Sequence, residues 1–222
     1  MTRIATEPSA RASAKGSPLL LWTAGLLGLA GCAALTLGNI AGSLLVPGHD
    51  WISDTVSDLA AGRYAAIQDV AIYAYAVGLI ACALGAAHLH LGGRRWTLGV
   101  LSLTVLALIV TVIAAREAYS AGRSGMSVHL YLVAALGLFS ALAPLAMARD
   151  LGVLGRARMR LAYGVAAIWA AGGPVFFLLP TGWDGLWERA LGLASAAFVA
   201  SLAWMFLEAA RAAPERERLA PA

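Results

Sequence analysis

Between residues 49 and 58 the chain reads His-Asp-Trp-Ile-Ser-Asp-Thr-Val-Ser-Asp, the densest polar run between two long apolar segments. Asp50, Asp54 and Asp58 recur at every fourth position, the period that stacks side chains along one stripe of a helix. Projected at helical period, Trp51, Ile52, Thr55, Val56 and Leu59 fall on one arc. His49, Ser53, Ser57 and the three aspartates fall on the other. The pattern predicts a short amphipathic helix. Its polar face carries acid/base and carboxylate groups: His49, Ser57 and Asp58 as catalytic candidates, Asp54 and Asp58 as ligand-binding carboxylates. With His129, the set His49, Asp54 and Asp58 has the ligand types of a divalent-metal site. No HExxH pattern backs a metal, so the metal signal is weak, and no cofactor is expected. Like charges four apart destabilise a helix by a few tenths of a kcal/mol per pair, on the order of 0.2–0.5. Water, basic partners or a cation must offset that.

The elements around this run are set by composition. The 222 residues are 60% hydrophobic and 13% charged. That is far too little polar surface for a water-soluble domain of this size. Six apolar runs follow one another: 19–46, 65–91, 96–115, 127–148, 161–179 and 186–207. Each is near the length that crosses hydrocarbon as a helix. The expected architecture is therefore an all-α membrane protein, a six-transmembrane-helix bundle. Residues 1–17 and 211–222 form polar tails around a membrane domain at 18–210. The Gly-Gly-Pro at residues 172–174 is expected to break the fifth run, and Pro144 to kink the fourth.

Twelve of the sixteen basic residues fall in the tails and in the second and fourth loops. By the positive-inside tendency both termini are cytoplasmic, in a bacterial inner membrane, and the 49–58 run faces outward. Arg116, Glu117 and His129 share that outer side. They complete the candidate site, with Arg116 as an anion clamp. The alternative fate of the polar face is plain solvation at the membrane surface. The net charge of +4 is explained by topology, so nucleic acid is not an expected partner. Trp22, Trp51, Trp96, Trp183 and Trp187 suit interfacial belts.

Gly25, Gly28 and Gly31, with a GxxxG at Gly38 and Gly42, let another helix approach closely. They offer a contact within the monomer or between copies in a homo-oligomer. Asn39 lies at depth and needs an interhelical partner. Leu29-Ala30-Gly31-Cys32 has the form of a lipoprotein processing site. The apolar run continues through residue 37, however, so the segment reads as a mature helix. Histidines 88 and 90 sit beside Arg94 and Arg95 at the opposite end from His49 and His129, which disfavours a bis-histidine haem.

From Gly38-Asn39 through Ser57-Asp58-Leu59-Ala60 the chain resembles the DUF998 family of bacterial and archaeal membrane proteins. In that family a first span ends in a Gly-Asn turn, an outer loop carries a Ser-Asp-Leu-Gly/Ala motif, and a later span opens with a histidine, here His129. The family's usual Tyr-Ser-Pro before the motif is replaced here by residues 49–53. The resemblance implies six helices and no established activity. Two functions follow. One is binding or transport of a small molecule or lipid, or an assembly role, with membrane lipid and a small hydrophobic ligand as partners. The alternative is a membrane-embedded hydrolase or transferase acting on lipid at the outer face. No nucleophile elbow or phosphate loop is present to favour the enzyme.

Overall fold

The computed structural model describes residues 17–60, 63–115, 128–180 and 182–219. Within them the chain forms six long helices: α1 (Pro18–Leu45), α2 (Ala65–Leu89), α3 (Arg94–Ala115), α4 (Val128–Leu151), α5 (Arg156–Phe176) and α6 (Asp184–Leu219). Ser17 caps α1 by accepting from Leu20 N–H, and Pro18 occupies the first turn, where its missing N–H costs nothing. Helix α2 ends at His90 in the left-handed region, φ 44°, ahead of Gly92-Gly93. The Trp96 indole donates to the Ala86 carbonyl at 2.8 Å, satisfying an end group of α2. Trp96 is thereby fully buried rather than part of an interfacial belt.

The helices pack in chain order as a ring, and α6 closes back on α1. Close approach within the monomer uses the α1 glycines. A Cβ on Gly31 would meet the Ala74 carbonyl at 2.8 Å, and one on Gly28 would meet Ala203 and Cys82 at 2.8 Å. The glycine-rich face of α1 thus serves contacts to α2 and α6. Gly31→Ala is expected to push α1 off the α2 backbone and destabilise by about 1–3 kcal/mol, read as a lowered midpoint in detergent thermal unfolding. Cys32 is buried in mid-α1, its thiol directed at the Ala196 carbonyl of α6.

Five helices are long and apolar enough to cross a membrane: all except α5. Helix α5 starts on Arg156, Arg158 and Arg160 and ends on Gly-Gly-Pro, which dilutes its apolar character. The expected break at residues 172–174 does not occur, because α5 runs through Pro174 to Phe176. Pro144 likewise lies inside α4. The outer surface is studded with exposed large apolar side chains, among them Leu44, Leu84, Leu108 and Leu138. Such a surface is made for lipid, not water. The protein is an all-α, multi-pass membrane bundle.

The ring is not filled evenly. At its arginine-rich end Trp96, Met147, Ala148 and Phe206 are fully buried. There Arg158 on α5 pairs with Glu208 on α6. Toward the other end, where residues 46–64 join α1 to α2, the six helices part around a cavity of about 940 Å³. Of the neighbouring helices in the ring, α5 and α6 touch least. They are stitched by two indole hydrogen bonds, Trp169 to the Ser195 hydroxyl at 2.8 Å and Trp187 to the Gly172 carbonyl at 2.9 Å.

Candidate functional site: a polar strap latched over a central cavity

The amphipathic helix expected at residues 49–58 is not formed. The segment is a series of turns closed by one 3-10 turn, Asp58–Ala60. The aspartates are the reason. Asp50 Oδ1 accepts from Ile52 N–H at 2.9 Å, and Asp54 Oδ2 accepts from Asp50 N–H at 2.8 Å. Asp58 Oδ2 accepts from both the backbone N–H and the hydroxyl of Thr55, each at 2.7 Å. Side-chain carboxylates that capture nearby N–H groups offer the backbone an alternative to helix. The four-residue spacing that suggests a helical stripe is the spacing of successive capped turns. The Ile52 N–H bond holds the Asp50 carboxyl below its ordinary range, and the Ser53 contacts and His49 add to this. A depressed native value makes Asp50 stabilising above the usual carboxylate range, and the effect is lost as pH falls through the depressed value. Acidification through that range is expected to loosen this turn, checked by amide exchange at Ile52 against pH.

The strap is fastened to two helices. Leu59 is completely buried against Gly42 of α1. Leu186 N–H in the first turn of α6 donates to the Ile52 carbonyl at 3.0 Å, and Val56 N–H donates to Glu188 Oε2 at 2.8 Å. At the centre is Arg189, one turn further along α6 and only 6% exposed. Its Nε donates to Asn39 Oδ1 at 3.0 Å. Its Nη1 donates to the carbonyls of Trp51 and Asp54, at 3.0 and 2.9 Å. Its Nη2 donates to the Ser43 hydroxyl at 3.3 Å and meets His49 Nε2 at 2.8 Å. The guanidinium also lies over the Trp51 ring, 4.4 Å from its centroid. Five N–H groups thus have five acceptors, the full complement of an arginine.

This arrangement fixes the tautomer of His49. Arginine only donates, so Nε2 must accept and the ring proton sits on Nδ1, which is 3.5 Å from Asp54 Oδ2. Arg189, His49 and Asp54 therefore form one relay from α6 through the strap. The His49 ring is thus held between Arg189 and Asp54. Gly185 makes the latch possible, because a Cβ there would collide with the Asp54 carbonyl. Gly185→Ala is expected to lift residues 51–54 off α6 at a cost of about 1–3 kcal/mol. Faster proteolysis of the strap is the readout.

The family model described as "Protein of unknown function (DUF998)" matches residues 29–205. The chain belongs to the DUF998 family. No curated protein and no solved structure matches it. In this DUF998 chain the strap, the latch arginine and every cavity-lining residue fall inside the matched span. The expected Gly-Asn turn is absent: Gly38 and Asn39 lie within α1, which continues to Leu45. Asn39 has the interhelical partner its depth demands, Arg189.

Of the sequence candidates, His49 and Asp54 are brought together. Asp58 is turned to its own loop, and both Ser57 and Asp58 border the cavity. His129 stands in the first turn of α4, while Arg116 and Glu117 lie outside the described residues. Among the described residues no group of three His, Cys, Asp or Glu side chains is assembled for a metal.

Two residues that matter were missed by sequence reasoning. One is Arg189, which by position in the sequence is only one more charge on the outer side. A Glu-Arg pair inside the start of an apolar span was the available signal, since charges at such depth need partners. The other is Gln68, in the first turn of α2. It is completely buried, lines the cavity, and neither Oε1 nor Nε2 has a partner among the described residues. Away from the strap, Asn39, Glu188 and Arg189, the other polar groups of an otherwise apolar wall are those of Tyr75, also on α2, and of Thr36, Ser140, Trp169 and Ser195.

Proposed function

We propose that this protein binds an apolar or amphipathic small molecule of the membrane in the cavity between its six helices, with the strap at residues 49–60 closing one end. The cavity is the observation that carries the reading. Its volume is about 940 Å³ and its wall is apolar with a few polar groups. Those are the size and character of a lipid or small-ligand site. Binding, rather than catalysis, suits a site whose histidine has its Nε2 lone pair taken by an arginine N–H. In this reading α5 crosses the membrane with the other five helices. The two termini and the arginine-rich end are cytoplasmic, the strap faces outward, and the protein resides in a bacterial inner membrane. The placement of twelve of the sixteen basic residues supports that orientation. Reagent labelling of a cysteine introduced at Val56 from the outer side is expected; labelling only from the cytoplasm would reverse it.

Gly137 on α4 allows the cavity to be tested without breaking the fold. A Cβ there meets only the Trp169 ring, at 3.8 Å. Gly137→Phe is therefore expected to fill the cavity while raising helix propensity, which is worth up to about 1 kcal/mol. Native mass spectrometry of the purified full chain should show methyl palmitate or monopalmitoylglycerol retained by the wild type and not by Gly137→Phe. Equal retention by both would show that the binding lies elsewhere.

A further inference from the structure

Gln68 is a buried amide with a donor and an acceptor side by side and nothing among the described residues bonded to either, in the wall of a large apolar cavity. Native proteins rarely leave such groups unpaired, and each exception needs an explanation. Resting on the cavity-binding reading above, we infer that the ligand is a neutral lipid whose head presents a hydroxyl donor beside a carbonyl acceptor, the pattern of a mono- or diacylglycerol. The Gln68 amide is its head-group receptor.

The other polar groups at the cavity argue against an anionic head. Among the described residues Arg189 is the cation that lines it, and all five of its N–H groups are committed to Asn39, Ser43, His49 and the strap carbonyls. An incoming carboxylate or phosphate would have to take donors away from the latch. Glu188 lines the same cavity, and its Oε2 is already taken by the Val56 N–H. A charge carried into this space without a partner is strongly disfavoured. A neutral head has no such penalty. Both amide atoms are closed off from the empty space by their neighbours, so the side chain turns toward the cavity on binding; the amide then offers Nε2–H to the ligand carbonyl and Oε1 to the ligand hydroxyl at once. Gln68 sits in the first turn of α2, near the strap, so the head lies at the strap end. The acyl chain lies along the apolar wall that continues past Tyr75 to Leu79 on the same helix.

The test compares three probes that share one acyl chain: monopalmitoylglycerol, methyl palmitate and palmitate. Each is offered to the full chain in nanodiscs, and protein-bound lipid is counted by native mass spectrometry. Wild type is expected to retain monopalmitoylglycerol about tenfold over methyl palmitate, which lacks the donor, and to exclude palmitate; tenfold corresponds to about 1.4 kcal/mol. Gln68→Leu should bring monopalmitoylglycerol and methyl palmitate to parity while both still bind. Preference for palmitate, equal retention of all three by the wild type, or a preference for monopalmitoylglycerol that survives in Gln68→Leu would overturn the head-group assignment and leave the cavity reading standing. Retention of none of the three by the wild type would overturn both.

Discussion

Replacing Arg189 with methionine is expected to be the most damaging single substitution at the strap end, lowering stability by about 3–5 kcal/mol. The loss does not come from a single ion pair. Removing the guanidinium leaves Asn39 Oδ1, His49 Nε2 and two strap carbonyls facing a buried space without donors. Each orphaned buried group costs about 1–3 kcal/mol, and relaxation of the strap recovers part of that. Lysine should not rescue. It brings three donors on a flexible stem, where the native geometry uses five from a planar fork lying over Trp51. The expected result is a thermal midpoint lowered by roughly 10 °C in Arg189→Met and nearly as far in Arg189→Lys. Residues 49–58 should become sensitive to protease, while the arginine-rich end, packed around Trp96 and Phe206, holds. Unfolding with no separate response of the strap would mean that Arg189 serves the bundle as a whole rather than this latch.

Gln68→Leu is expected to act in the opposite direction. The substitution removes an amide with two unpaired polar atoms from a fully buried position. It should therefore raise the stability of the ligand-free protein by about 1–3 kcal/mol. Stabilisation by deleting a polar side chain is the signature of a group kept for binding. Thermal unfolding of delipidated wild type and Gln68→Leu measures it directly. A lowered midpoint would mean that Gln68 has a structural bond, and its use as a receptor would lose its support.

Much of the bundle was legible in the sequence because the bilayer imposes a length and an apolar composition on each span. The helix starts at residues 18, 65, 94, 128 and 184 follow from where charge and apolar run meet. Helix α5 was harder. Its arginines and Gly-Gly-Pro read as boundaries, yet the helix includes both, because its flanking turns pack on α4 and α6. The strap was misread for an instructive reason. The four-residue period of Asp50, Asp54 and Asp58 is shared by a helical stripe and by successive side-chain-capped turns. Periodicity counts positions and does not say from which N–H groups a carboxylate accepts. The candidate site was half legible. His49 and Asp54 do meet, but the group that joins them to the bundle is 135 residues or more away in sequence. No local pattern announces such a contact. Gln68 was invisible for a different reason. A glutamine near the start of a span looks like an interfacial residue, and only the packed ring shows that it faces a hollow.

The central claim, an amphiphile held between the helices, is tested most directly by photo-crosslinking. A monoacylglycerol carrying a diazirine in its acyl chain is incorporated into nanodiscs with the full chain, irradiated, and the adducts mapped by peptide mass spectrometry. The cavity predicts adducts on inward residues such as Leu103, Val133, Gly137 and Trp169, competed by unlabelled monoacylglycerol and absent in Gly137→Phe. Adducts confined to outward residues such as Leu44, Leu84 and Leu108, unaffected by competitor or by filling the cavity, would contradict it.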